Sequence, residues 1–125
     1  MKILMLGDVM GRAGRDVLSD ELPGLREKLG IDFVLVNGEN SAGGFGITGE
    51  ICRSFYQSGA DAITLGNHAW DQRETASYIE GDAKLLRPAN YPPGTPGRGH
   101  GLFQTADGRE VLVIQVMSRL FMDAI

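Results

Sequence analysis

Ala62-Ile63-Thr64-Leu65-Gly66-Asn67-His68-Ala69-Trp70-Asp71 is a short apolar run that breaks abruptly into a glycine, an amide and an imidazole. A brief continuous apolar run bounded by polar turn formers is the pattern of a strand buried in a parallel sheet. The same pattern occurs twice more, upstream. Ile3-Leu4-Met5-Leu6 ends in Gly7-Asp8, and Phe33-Val34-Leu35-Val36 is followed by Asn37-Gly38-Glu39-Asn40. Such runs predict strands covered on both faces, and the segments between them decide what covers them.

Those segments read as helices. Val17, Leu18, Leu22, Leu25 and Leu29 recur at helical spacing and predict a helix over 15–29, kinked or split by Pro23 and stopped by Gly30. Ser41 to Gly46 is glycine-rich and reads as a mobile loop, after which Thr48 can cap a helix over 49–58. Asp71 and Glu74 stand at capping-box spacing and predict a third helix running to Glu80. Strand and helix alternate, so the fold is α/β, built of βαβ units with parallel strands.

Beyond Lys84 the pattern changes. Leu85-Leu86 is only a short apolar step, and Arg87-Pro88-Ala89-Asn90-Tyr91-Pro92-Pro93 carries too much proline for a central strand, so it reads as an extended connector. A C-terminal β-hairpin follows, His100 to Thr105 and Val111 to Val116 around Asp107-Gly108. Met117 to Ile125 offers Leu120, Phe121, Met122 and Ile125 for burial and then stops.

Composition narrows the function. The chain has 125 residues, enough for one domain with a modest core, and a formal net charge of -4 without any Lys/Arg block. An extended nucleic-acid groove therefore has no electrostatic support, and a phosphate-bearing ligand would need a local site helped by a metal. Cys52 is the only cysteine, so an internal disulfide is excluded and a cytoplasmic location is expected; its apolar helical neighbours make it a core residue. The apolar N-terminal run is too short for a signal peptide or a membrane span.

The polar residues collect where the strands end. In a parallel sheet the carboxyl ends lie along one edge, where α/β folds place their sites, so Asp8, Glu39, Asn40, Asn67 and His68 are expected to converge. Taken singly, Gly7-Asp8 is an ordinary turn, Glu39-Asn40 a locally bonded loop and Asn67-His68 a helix entry. Jointly, the matched ends favour a metal site. Carboxylate, amide and imidazole donors suit Mn, Fe, Zn, Ni or Co rather than a thiolate-selected metal. Glu39 has two oxygens and could bridge ions about 3.5–4 Å apart, as in phosphoester hydrolysis. Arg12 could contact a phosphate or simply be a solvated loop residue. His100 is read as structural, and Trp70 as packing beneath the site. Gly7 to Gly14 fits neither the P-loop nor the dinucleotide fingerprint, which argues against a Rossmann-like nucleotide domain.

Asp8 within Gly-Asp-Val-Met-Gly, the run Val36-Asn37-Gly38-Glu39-Asn40, Gly66-Asn67-His68 followed by Asp71, Arg87-Pro88-Ala89-Asn90-Tyr91-Pro92 and Ser118-Arg119-Leu120-Phe121-Met122 together resemble the YmdB-like family of calcineurin-superfamily metallophosphoesterases. Two features depart from the general superfamily pattern: Met10 stands in the place of a histidine, and Gly38-Glu39 replaces a second Gly-Asp. The resemblance implies an αββα sandwich and a dinuclear site of divalent Fe, Mn or Zn, with Glu39 bridging, Asp8 on one ion, Asn67 on the other and Asn40 as ligand or phosphate contact. It implies hydrolysis of phosphodiesters such as 2′,3′-cyclic nucleotides by a metal-bridging hydroxide, with His68 protonating the leaving oxygen. The family completes its site with histidines from a second half, so the chain is expected to be the N-terminal part of such a domain, 1–125. A non-catalytic fragment or binding module is the alternative that this implies, and open edges would favour homo-oligomers.

Overall fold

A computed structural model describes residues 1–118. Four strands, β1 (Ile3–Leu6), β2 (Phe33–Asn37), β3 (Ala62–Thr64) and β4 (Leu85–Leu86), form one parallel sheet in sequence order. Helix α1 (Gly11–Leu29) joins β1 to β2, and α2 (Gly49–Ser58) joins β2 to β3. A one-turn α3 (Thr75–Tyr78) runs into a 3-10 turn (Ile79–Gly81) before β4. The hairpin β5 (His100–Gln104) and β6 (Glu110–Ile114) is a separate antiparallel sheet.

Period-two alternation divides the sheet residues between two cores. Leu4, Leu6, Val34, Val36, Ile63 and Leu85 pack with Leu18 and Leu22 of α1 and Cys52 and Phe55 of α2. Phe33, Ala62 and Leu86 turn the other way onto Val111 and Val113 of the hairpin, with the Phe33 and Phe103 rings 5.6 Å apart. Each large side chain so buried contributes about 1.5–3 kcal/mol. The layers among the described residues are helices, sheet and hairpin. The outer helical layer of an αββα sandwich is not among them, and Leu102, Leu112 and Ile114 on the hairpin's outer side are exposed.

Several expectations are corrected. β1 is not covered on both faces: Ile3 and Met5 are 48% and 73% exposed, because the hairpin packs over β2, β3 and β4 and does not reach the β1 edge. Leu85-Leu86 is a true strand, fully buried and parallel to β3, while the proline-bearing segment after it leaves the sheet. Pro23 neither splits nor ends α1, since it lies on the solvent side, where a missing backbone hydrogen bond is replaced by water. The glycine-rich loop 41–46 carries backbone bonds of its own, with Ala42 N–H donating to Gly46 O, Gly44 N–H to Asn40 O and Gly46 N–H to Glu39 O. Thr48 does cap α2, its hydroxyl oxygen accepting from Ile51 N–H at 3.2 Å.

The third helix shows the largest difference. It begins only at Thr75, and neither Asp71 nor Glu74 caps it through its side chain. Glu74 accepts instead from Gly49 N–H at the start of α2 (3.0 Å), and Thr75 donates its hydroxyl to Ile47 O (2.7 Å). Those bonds fasten the end of the β2–α2 loop to the segment after β3, and they leave Asp71 free for another partner.

Candidate active site

The register places Leu6 opposite Val36 and Asn37 opposite Thr64, so β1, β2 and β3 all end on one edge. The residues that follow meet there in pairs. At the β1–β2 boundary, Asn40 Nδ2 donates to Asp8 Oδ2 at 2.7 Å. Two backbone bonds brace that contact, Val9 N–H to Asn37 O (3.3 Å) and Gly11 N–H to Asn40 O (3.0 Å). At the β2–β3 boundary, Glu39 reaches across: Asn37 Nδ2 donates to its Oε1 at 3.3 Å, and the His68 backbone N–H faces its Oε2 at 3.5 Å.

The segment after β3 carries the third contribution. Ala69 N–H bonds to Gly66 O and Asp71 N–H to His68 O, making tight turns that leave Asn67 exposed and His68 partly exposed. His68 Nδ1 lies 2.6 Å from Asp71 Oδ2, which fixes the ring and turns Nε2 away from that carboxylate. Trp70 packs against the helix-side core and stands 6.1 Å from the Tyr91 ring. Burial, and then the carboxylates of Glu39 and Asp71, push the Tyr91 phenol above its usual range, so Tyr91 borders the same group.

Arg12 is not drawn into this cluster. It lies in the first turn of α1, and its Nε stands 3.6 Å from Asp16 on the solvent side. Arg15, which the sequence reading passed over, is the arginine that braces the site, donating to Ser41 O in the loop after Asn40. Asp71 and Asn37 were also missed. The three-residue spacing of His68 and Asp71 was the available signal, and it coincided with the more familiar spacing of a helix cap. His100 lies exposed on the hairpin.

The donor set suits a divalent cation. Two carboxylates and two neutral amides are hard oxygen donors, with an imidazole beside them. Glu39 sits in a cradle that a side chain would fill: a Cβ on Gly66 would stand 2.3 Å from Oε2. Among the described residues no three His, Cys, Asp or Glu side chains group tightly enough to hold an ion by themselves. A cavity of about 590 Å³ lies elsewhere, at the amino ends of the strands beside Phe33, Asp61, Lys84 and Phe103. Of its two carboxylates, Asp61 and Glu110, Asp61 is paired with Arg26 at 2.9 Å and accepts from Val34 N–H at 2.8 Å. The carboxyl edge, where the three strand ends meet, is the candidate site.

Residues 4–125 match the model of the YmdB-like protein family. The chain belongs to that family. Over 122 residues it is 47% identical to a 2′,3′-cyclic-nucleotide 2′-phosphodiesterase of Bacillus subtilis (strain 168), covering 98% of this chain and 46% of that one. A hypothetical protein from Thermus thermophilus superposes with a TM-score of 0.90 at 40% identity, over 99% of this chain and 48% of the other. A novel phosphatase from Mycoplasma pneumoniae superposes at 0.84 with 29% identity, covering 94% and 43%. The chain thus spans about half the length of these proteins it matches.

Proposed function

We propose that this chain carries the phosphodiester-binding and proton-donating half of a metal-dependent phosphodiesterase, acting on small phosphodiesters such as 2′,3′-cyclic nucleotides. The observation that carries the reading is the pairing of Asp8 with Asn40 and the reach of Glu39 across Gly66 toward His68, which draws three strand ends into one polar group. The name of the Bacillus subtilis relative supports the substrate class.

Asp8 and Glu39 are the charged residues that would hold the metal, a dinuclear centre of divalent Fe, Mn or Zn, with Asn40 and Asn67 as neutral donors. Such a centre supplies Lewis-acid polarisation of a phosphoryl oxygen and a nucleophile at neutral pH. Asn40 keeps its amide beside the Asp8 carboxylate and is placed to contact a phosphate oxygen as well. His68 delivers the proton to the departing oxygen from Nε2, since Nδ1 is held by Asp71. Arg12, exposed on α1, could reach a phosphate only by leaving Asp16.

A second reading rests on two observations: the described ligand set is partial, and the hairpin's outer face is apolar and exposed. In that reading the chain is a non-catalytic module until another polypeptide completes it. Metal stoichiometry, measured together with hydrolysis of bis-p-nitrophenyl phosphate and 2′,3′-cyclic AMP, separates the two. Turnover by the metal-loaded chain supports the first reading. Absence of turnover on both substrates removes it for this chain and leaves the second.

A further inference from the structure

Glu39 is the site residue whose side chain leaves its own strand end and lies across the next. What holds it there are two residues that have no assigned role. A Cβ placed on Gly66 would stand 2.3 Å from Oε2, 2.5 Å from Oε1 and 2.6 Å from Cδ, closer than any real side chain tolerates. Gly66 is not one of the glycines with positive φ, so its backbone does not itself require glycine. The missing side chain is therefore space reserved for the carboxylate. Asn37 donates to Oε1 from the last residue of β2, where pairing with Thr64 fixes its backbone.

We infer that Asn37 and Gly66 are positioning residues for Glu39, a seat that fixes its carboxylate across the ends of β2 and β3 before any cation binds. A carboxylate has about four lone-pair positions, and the Asn37 amide and His68 N–H meet one on each oxygen, which leaves the others for a cation. A donor fixed on a strand holds its partner more accurately than one on a loop. Ordering the flexible Glu39 side chain in advance removes part of the entropy that binding would otherwise cost. The cation in this inference is the one proposed above, whereas the seat itself is a property of the metal-free chain.

The test is built to separate those two. Metal-free 15N NMR spectra are compared for the wild type, Gly66→Ala, Asn37→Ala and Glu39→Ala, with thermal unfolding of each. Because the atoms displaced by Gly66→Ala are the far end of a flexible side chain, its melting temperature should stay at the wild-type value. Its Asn37 side-chain amide and His68 backbone amide signals should move to their positions in Glu39→Ala. The His68 amide should move likewise in Asn37→Ala, which carries the measurement if Gly66→Ala folds poorly. Titration with Mn2+ alone should then show affinity about tenfold or more weaker in both variants, the usual effect of losing a residue that orients a ligand. Unmoved signals in Gly66→Ala and Asn37→Ala, or Mn2+ bound as tightly as by the wild type, would overturn the seat. If the wild type itself binds no Mn2+, the metal reading of the site fails, while the metal-free spectra still decide the seat.

Discussion

Asp71 changes what His68 can be expected to do. A histidine on an exposed turn samples several ring orientations, but the 2.6 Å contact between Nδ1 and Asp71 leaves one nitrogen to face outward. If His68 protonates the leaving oxygen, the benefit is largest for poor leaving groups and small for p-nitrophenolate, which departs without help. His68→Ala is expected to lower the rate on 2′,3′-cyclic AMP by about 10²–10⁴-fold, the usual worth of general acid–base catalysis. Asp71→Asn should lose part of that on the same substrate, and both variants should stay near wild type on bis-p-nitrophenyl phosphate. Steady-state rates on the two substrates check this; equal losses on both would place Asp71 in a structural role. The meeting of Asp8, Glu39 and the His68 segment was legible in the sequence because each follows a recognisable apolar run, and parallel strands bring such ends together. Asp71 was misread because the spacing that faces it toward His68 also fits a helix cap. Asn37 gave no signal, since its importance lies in which way the Glu39 side chain turns, and no pattern in the chain encodes that.

Among the elements, the hairpin is fastened to the sheet by charge as well as by apolar packing. Arg109 Nη2 lies 2.8 Å from Asp107 in the turn and 2.9 Å from Asp32 at the entrance to β2. Hydrogen bonds from the Arg109 side chain and from Thr105 lower the Asp107 carboxyl from 3.8 to about 2, and the Lys2 backbone amide, followed by Arg109, lowers Asp32. A carboxyl whose folded pKa is depressed stabilises the fold above its unfolded value and loses that contribution as pH falls through the folded one. The melting temperature should therefore drop as pH goes from about 4 to about 2, and Asp107→Asn should flatten that drop while lowering the plateau at neutral pH. Calorimetric scans across this range check it, and an unchanged slope in Asp107→Asn would remove the turn from the account. The hairpin, the first three strands and the first two helices were readable from periodicity and turn residues. β4 was not, because two residues carry no period; its membership of the sheet rests on pairing with β3 and on Leu85 and Leu86 filling opposite cores. The extent of the third helix was misjudged for a related reason: Glu74 and Thr75 are bound to the β2–α2 segment, and such tertiary bonds are invisible to local spacing.

At the scale of the whole molecule, the two apolar faces of the hairpin meet different fates. Val111 and Val113 are buried against the sheet, whereas Leu102, Leu112, Ile114 and the nearby Val116 are 59–66% exposed. The β1 edge adds Ile3 and Met5, with no strand paired on its outer side among the described residues. No helix among those residues is long and apolar enough to cross a membrane. A net charge of -4 gives only modest repulsion between copies. Apolar area of this kind is expected to drive self-association at raised concentration. Leu102 and Leu112 are direct cross-strand partners, which makes them the place to test it. Leu102→Lys combined with Leu112→Glu puts opposite charges side by side on the solvent face, a pairing that strands tolerate. Both side chains already stand largely in water, so the double variant should stay within about 1 kcal/mol of wild-type stability. Light scattering over a concentration series should show the wild type rising above the monomer mass and the variant staying at it. A wild type that remains monomeric throughout would mean that the exposed ribbon is too small, or too divided from the β1 edge, to hold two copies together.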